Sequence, residues 1–202
     1  MSKNVDIKKS LVRHDDSVLV VIDIQDSFLR KYDDSIGKHL LEKVVWLLKI
    51  AAGMNVPVVA MAEDIENTGN LNQSILNALP RETMVHNKNA FGLADNPEIL
   101  ADVEATRRNT AILVGTETDV CVAQSALGLM QCGYRVVVLK DAVATTAGDA
   151  ETGLNRMRDA GAAISSVKAI TYEWLGTVQN TTEFFDRFPE LQAIELPGSL
   201  SL

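Results

Sequence analysis

Hydrophobic residues fall in two rhythms along this 202-residue chain. Residues 17–24 (S-V-L-V-V-I-D-I), 56–62, 109–114 (N-T-A-I-L-V) and 134–140 (Y-R-V-V-V-L-K) are nearly unbroken apolar runs rich in β-branched side chains. Such runs predict strands buried on both faces of a parallel sheet. Weaker strands are predicted at 82–86 and 162–165. Between them apolar residues recur at helical spacing. In 36–52 they are Leu40, Val44, Leu47, Leu48 and Ala51, and Gly53 ends the run. Further helices are predicted at 73–78, at 97–107 with Pro97 at its favoured first position, at 123–131 before Cys132-Gly133, at 149–159 before Gly161, and at 182–188 before Pro189. One helical turn is predicted at 167–172. The stretches 25–34, 63–72, 91–96 and 141–148 read as loops, 1–16 as an arm and the tail to 202 as extended chain. Alternating strands and helices predict an α/β fold, a parallel sheet covered on both faces. With no repeat, linker or low-complexity tract, one domain over 1–202 is expected.

Composition narrows the classes. A hydrophobic share of 47% fits a globular chain. A net charge of −8 disfavours nucleic acid and anionic membranes as partners. No apolar run approaches the roughly 20 residues of a membrane helix. Met1 to Ser10 is polar and basic, unlike a signal peptide, and two cysteines make no disulfide framework. A cytoplasmic protein is expected, and the net charge says little about a small substrate, which responds to the local pocket.

Chemistry-bearing residues stand where predicted strands end, the place at which open parallel sheets bind ligands. Asp23 closes the first strand after a run of apolar residues, and a carboxylate there is costly unless paired or used. Lys88 follows the third strand. Cys121 lies in the turn Gly115-Thr116-Glu117-Thr118-Asp119-Val120-Cys121-Val122, between the fourth strand and its helix. Thr118 or Asp119 can cap that helix, and Cys121 falls in its first turn. The helix dipole there should make its thiol ionise more easily than a free cysteine. Together the three can form a nucleophile, a base and a cation that holds the base charged, with N–H groups of the turn facing a developing oxyanion. Each also has a plain alternative: a small buried apolar residue for Cys121, a loop cap or structural ion pair for Asp23, a surface lysine for Lys88.

The motifs V-V-I-D23-I-Q25-D-S-F28, N-K88-N-A-F91 and G115-T-E-T-D-V-C121-V, each at a strand end and in this order, resemble those of the isochorismatase-like cysteine hydrolases. That family includes nicotinamidases and N-carbamoyl-amine amidohydrolases. The resemblance implies a three-layer α/β/α fold with six parallel strands in the order 3-2-1-4-5-6. It implies Cys121 as nucleophile, Asp23 as base and Lys88 as its partner. It further implies a cis bond between Thr116 and Glu117, backbone oxyanion donors at Glu117 and Cys121, and Phe28 and Phe91 lining a substrate pocket. The reaction implied is attack of Cys121 on a small amide or ureido compound, with loss of ammonia or an amine and hydrolysis of the thioester. Homo-oligomers are usual in this family.

The stretch after the second strand, A62-E-D-I-E-N-T-G-N70, lacks the histidines of metal-dependent nicotinamidases. Its acidic residues Glu63, Asp64 and Glu66 read as a solvated loop, and His14, His39 and His86 are scattered. No metal and no cofactor are expected. Two alternatives stay open: an isochorismatase-type hydrolase of a vinyl ether, and a catalytically silent binding or assembly member of the fold. A nucleotide site is disfavoured, since Asp23-Ile24-Gln25 stands where a Gly-rich phosphate loop would.

Overall fold

The structure is a computed structural model describing residues 11–146 and 150–192. Most of the expected N-terminal arm, loop residues 147–149 and the tail from 193 lie outside the described residues.

Six parallel strands form one sheet in the order β3-β2-β1-β4-β5-β6. They are β1 (Ser17–Ile22), β2 (Val58–Glu63), β3 (Val85–Lys88), β4 (Thr110–Thr116), β5 (Arg135–Ala144) and β6 (Ala163–Ser165). Every residue of β1 and β4 is buried, as their unbroken apolar runs require. The helices are α1 (Asp26–Leu29), α2 (Asp34–Gly53), α3 (Ile65–Thr68), α4 (Gln73–Ala78), α5 (Pro97–Ala105), α6 (Ala123–Gln131), α7 (Ala150–Asp159), α8 (Val167–Leu175), α9 (Val178–Arg187) and α10 (Pro189–Gln192).

The alternation of side chains along a strand builds the two outer layers. Leu19 and Val21 face a cluster with Leu40, Val44, Leu47 and Leu48 of α2, Ile75 of α4, Trp174 of α8 and Phe185 of α9. Val18, Val20 and Ile22 face the other cluster, with Ile99 and Val103 of α5, Ala126 and Leu129 of α6, and Leu154 and Met157 of α7. The indole N–H groups on the first side are satisfied: Trp46 donates to Leu191 O at 3.1 Å and Trp174 to Ser17 Oγ at 3.1 Å.

β5 runs four residues beyond its predicted end. After a register shift between Leu113 and Gly115, Gly115 pairs with Val143 and Thr116 with Ala144, which turns part of the expected 141–148 loop into strand. The strand order reverses between β1 and β4, so the C-terminal ends of β3, β2, β1 and β4 stand side by side. Those ends carry Lys88, Glu63, Asp23 and the turn leading to Cys121.

Candidate active site

Asp23 follows β1 in a left-handed backbone conformation, φ 53°, with its N–H donating to Met61 O at 3.0 Å. Its carbonyl accepts the Thr116 hydroxyl, which ties the end of β1 to the end of β4. Lys88, the last residue of β3, is wholly buried, as is Asp23. Its Nζ lies 3.0 Å from Asp23 Oδ2. The ion pair is off the axis of a good hydrogen bond, and neither Asp23 oxygen has a well-directed donor among the described residues. Lys88 Nζ also donates to the carbonyls of Ala90 at 3.2 Å and Phe91 at 3.1 Å, and lies 3.7 Å from Cys121 Sγ. The three residues predicted from separate strand ends therefore meet.

The turn that carries Cys121 is built by two unusual backbone positions. Gly115 has φ 152°, and a Cβ there would run into the Ile22 carbonyl and lie 2.8 Å from Ile22 Cβ. Glu117 is left-handed, φ 57° and ψ 65°, and leads into a single π-helical turn, Thr118–Val122, before α6. Such turns recur at functional sites. The expected cis bond between Thr116 and Glu117 is corrected: no described peptide bond is cis. One left-handed residue makes the reversal at about 1–2 kcal/mol, less than the roughly 3–4 kcal/mol of a cis bond without proline.

Glu63, read from sequence as part of a solvated loop, is the fourth member of the site. It pairs with Lys88 across β2 and β3. Its Oε2 accepts the Cys121 thiol at 3.2 Å and lies 3.3 Å from Lys88 Nζ. The predicted strand order held the signal: in 3-2-1-4, whatever ends β2 must stand between Lys88 and Asp23. Gln25, fully buried, fixes Glu63 by its backbone. Its Oε1 accepts Glu63 N–H at 2.8 Å and its Nε2 donates to Glu63 O at 2.9 Å. Tyr32 was also missed; its hydroxyl lies 3.3 Å from Glu117 Oε1 and 3.4 Å from Ala144 O. Phe91 lends its carbonyl to Lys88 and leaves a half-exposed ring 5.9 Å from Nζ. Phe28 is buried on α1 with the Lys31 ammonium 4.6 Å from its ring centre.

The electrostatics follow from two carboxylates sharing one ammonium. The Asp23 carboxyl stands raised, at about 6: burial lifts it, the Lys88 charge opposes burial, and Glu63 adds to the rise. Burial alone would lower the Lys88 ammonium, but Asp23, Cys121 and Glu63 outweigh it and hold the cation charged. Burial raises the Cys121 thiol well above its usual range, Asp23 and Glu63 raise it further, and Lys88 opposes them. The expectation of an easily ionised thiol is thus corrected: the helix dipole is outweighed by dehydration and by the excess negative charge.

Oxygens of Asp23 and Glu63 and the sulfur of Cys121 lie within 4.8 Å of one another, close enough to suggest a metal site. The Lys88 ammonium stands 3.0, 3.3 and 3.7 Å from those groups and already supplies the positive charge there. The set does not fit a divalent cation.

Comparison with known proteins agrees with this architecture. Isochorismatase family protein 1A of Dictyostelium discoideum is 28% identical over 165 residues, covering 78% of this chain and 77% of that one. The MAR1 ribonuclease of Caenorhabditis elegans superposes with a TM-score of 0.81 at 23% identity, over 96% of this chain and 98% of that one. YcaC from Pseudomonas aeruginosa, in a structure with hexane-2,5-diol and covalent acrylamide, gives 0.83 at 23% identity, over 92% and 93%. The Escherichia coli YcaC product, described as an octameric hydrolase of unknown specificity, gives 0.77 at 22% identity, over 90% and 92%. At these identities the structural likeness is one of fold. The Isochorismatase domain profile matches residues 17–169, three quarters of the chain, and the protein belongs to that family, whose members are generally hydrolases.

Proposed function

We propose that the protein is a cysteine hydrolase that cleaves a C–N bond of a small amide or ureido compound through a thioester on Cys121. The observation carrying this reading is the meeting of Asp23, Lys88 and Cys121 in one buried cluster, with Lys88 Nζ 3.0 Å from the carboxylate and 3.7 Å from the sulfur. A thiol that stays protonated at rest needs a base as it attacks. Asp23 takes the Sγ proton while the S–C bond forms, and returns it to the nitrogen as the C–N bond breaks. Lys88 keeps Asp23 ionised at the start. Backbone N–H groups of Glu117 and Cys121 receive the oxyanion. Phe28 and Phe91 line the substrate side. The covalent acrylamide in the P. aeruginosa YcaC structure is in keeping with a nucleophilic centre in this fold.

The net charge of −8 and the sunken, acid-rich site speak against RNA as substrate, although one structural neighbour is named a ribonuclease. A reducing, cytoplasmic setting suits two free cysteines, and no described helix is long and apolar enough to cross a membrane.

The test is a screen of small amides, carbamoyl amines and imides for ammonia release, with isochorismate as a vinyl-ether arm. Cys121→Ala should abolish turnover and leave the thermal melt nearly unchanged. Near-wild-type activity in that variant would remove the nucleophile from Cys121.

A further inference from the structure

Asp23 and Cys121 suffice for acylation, and Asp23 is ionised again once the nitrogen has left, so two carboxylates compete to be the base of the second half. Hydrolysis of the thioester needs a water that approaches the carbon on Sγ and gives up a proton. Asp23 is the less accessible of the two to water: its side chain is wholly buried and paired with Lys88 at 3.0 Å. Glu63 shares the Lys88 ammonium, at 3.3 Å, but is open to water. Its side chain is 21% exposed, so it faces water. Its Oε2 is already 3.2 Å from Sγ, so a water attacking the atom bonded to Sγ arrives beside it. Gln25 grips both its N–H and its carbonyl, and the Thr68 hydroxyl donates to the same carbonyl. These bonds fix the backbone of Glu63, and the Cys121 thiol and the Lys88 ammonium hold its carboxylate. Its presence also opposes thiolate formation, which makes a purely passive acid at this position costly to the first step.

We propose that Glu63 is a second catalytic carboxylate, the base that activates water to hydrolyse the Cys121 thioester. This rests on the cysteine-hydrolase reading. The water oxygen bonds to the thioester carbon while its proton passes to Glu63. The C–S bond breaks with its electron pair going to Sγ, and Glu63 returns the proton to Sγ along their existing hydrogen bond. The carboxylic acid product leaves, and no other reactant is consumed. Lys88, 3.3 Å from Oε2, balances the carboxylate's charge between turnovers.

p-Nitrophenyl acetate tests this without knowledge of the natural substrate, because its phenolate departs without a proton. Wild type, Cys121→Ala and Glu63→Gln are followed by stopped-flow absorbance and intact-protein mass. In Glu63→Gln one equivalent of p-nitrophenolate should appear at least as fast as in wild type, because a charge that opposes the thiolate is gone. Steady turnover should then fall on the order of 10²-fold, the lower end of what a general base contributes. The protein should carry one acetyl group on Cys121. Unchanged steady turnover overturns the assignment. So does equal slowing of both phases without acetyl accumulation, the pattern expected if Glu63 only pairs with Lys88. Should the Glu63→Gln variant fail to fold, Glu63→Asp is judged by the same criteria, since it keeps the charge and withdraws the carboxylate by one carbon. If Cys121→Ala releases phenolate as fast as wild type, the cysteine reading falls and takes this inference with it.

Discussion

Asp23 is subject to opposite demands from folding and catalysis. Its carboxyl is lifted from an ordinary 3.8 to about 6 by burial, against the pull of Lys88. Folding therefore takes up a proton between those values. The residue's contribution to stability is fully present below the lower value and is lost as pH rises through about 6. In the role proposed for it as a base the dependence runs the other way, since only the ionised form can take the thiol proton. The Cys121-dependent burst with p-nitrophenyl acetate should therefore fall about tenfold per pH unit below 6. A flat profile over roughly pH 5 to 8 would remove Asp23 from that role. The raised thiol makes a sharper prediction. Asp23→Asn takes away one of the two charges that hold Cys121 protonated. Iodoacetamide should then alkylate Cys121 faster near neutral pH, while hydrolysis is lost. Parallel loss of both would mean that Asp23 only supports the local structure.

At the scale of elements, the site depends on turns held by backbone fit. α7 approaches the turn that carries Cys121 so closely that a Cβ on Gly153 would lie 2.8 Å from Asp119 Cα and 2.9 Å from Thr118 O. Gly153→Ala must push that turn, at about 1–3 kcal/mol for overpacking. It should also slow acylation on the order of 10²-fold, the usual effect of a misplacement of about 1 Å. Thermal melts and burst rates measure the two effects separately, and a variant with an unchanged burst would show that the turn yields without moving Sγ. Gln25 is the counterpart on the other side of the site: Gln25→Leu leaves the Glu63 N–H without its acceptor, while the Glu63 carbonyl keeps the Thr68 hydroxyl, and should cost about 1–3 kcal/mol in urea unfolding. These dependencies mark the limit of what the sequence made legible. The apolar runs of β1 and β4 located the sheet, and Asp23, Lys88 and Cys121 stood out because each breaks or follows such a run. Glu63 did not, because it lies among Asp64 and Glu66 in a stretch that reads as surface. Only adjacency across strands separates it from them. The same holds for β5, whose last residues look like loop until Val143 and Ala144 pair with Gly115 and Thr116. The thiol's protonation also depends on crowding of charges from three distant segments, which no local pattern encodes.

At the scale of the whole molecule, the isolated chain leaves apolar groups uncovered. Phe91 is 52% exposed although its own carbonyl holds Lys88, and Met84 and Val178 are 70% and 86% exposed. A ring left half in water at the edge of a buried site is a candidate for cover by a neighbouring subunit. A homo-oligomer is the expectation on this ground. A stable subunit interface buries about 1,200–2,000 Å² or more and is richest in aromatic residues at its centre. Light scattering coupled to size exclusion should then give a mass that is a whole multiple of 22.0 kDa. Phe91→Glu should lower that mass, since a carboxylate in a dehydrated contact is costly. If the subunit covers the site, acylation should fall in step with dissociation as the protein is diluted. An active species of 22.0 kDa, with a burst rate independent of concentration, would show instead that each chain closes its own site and that Phe91 meets only substrate.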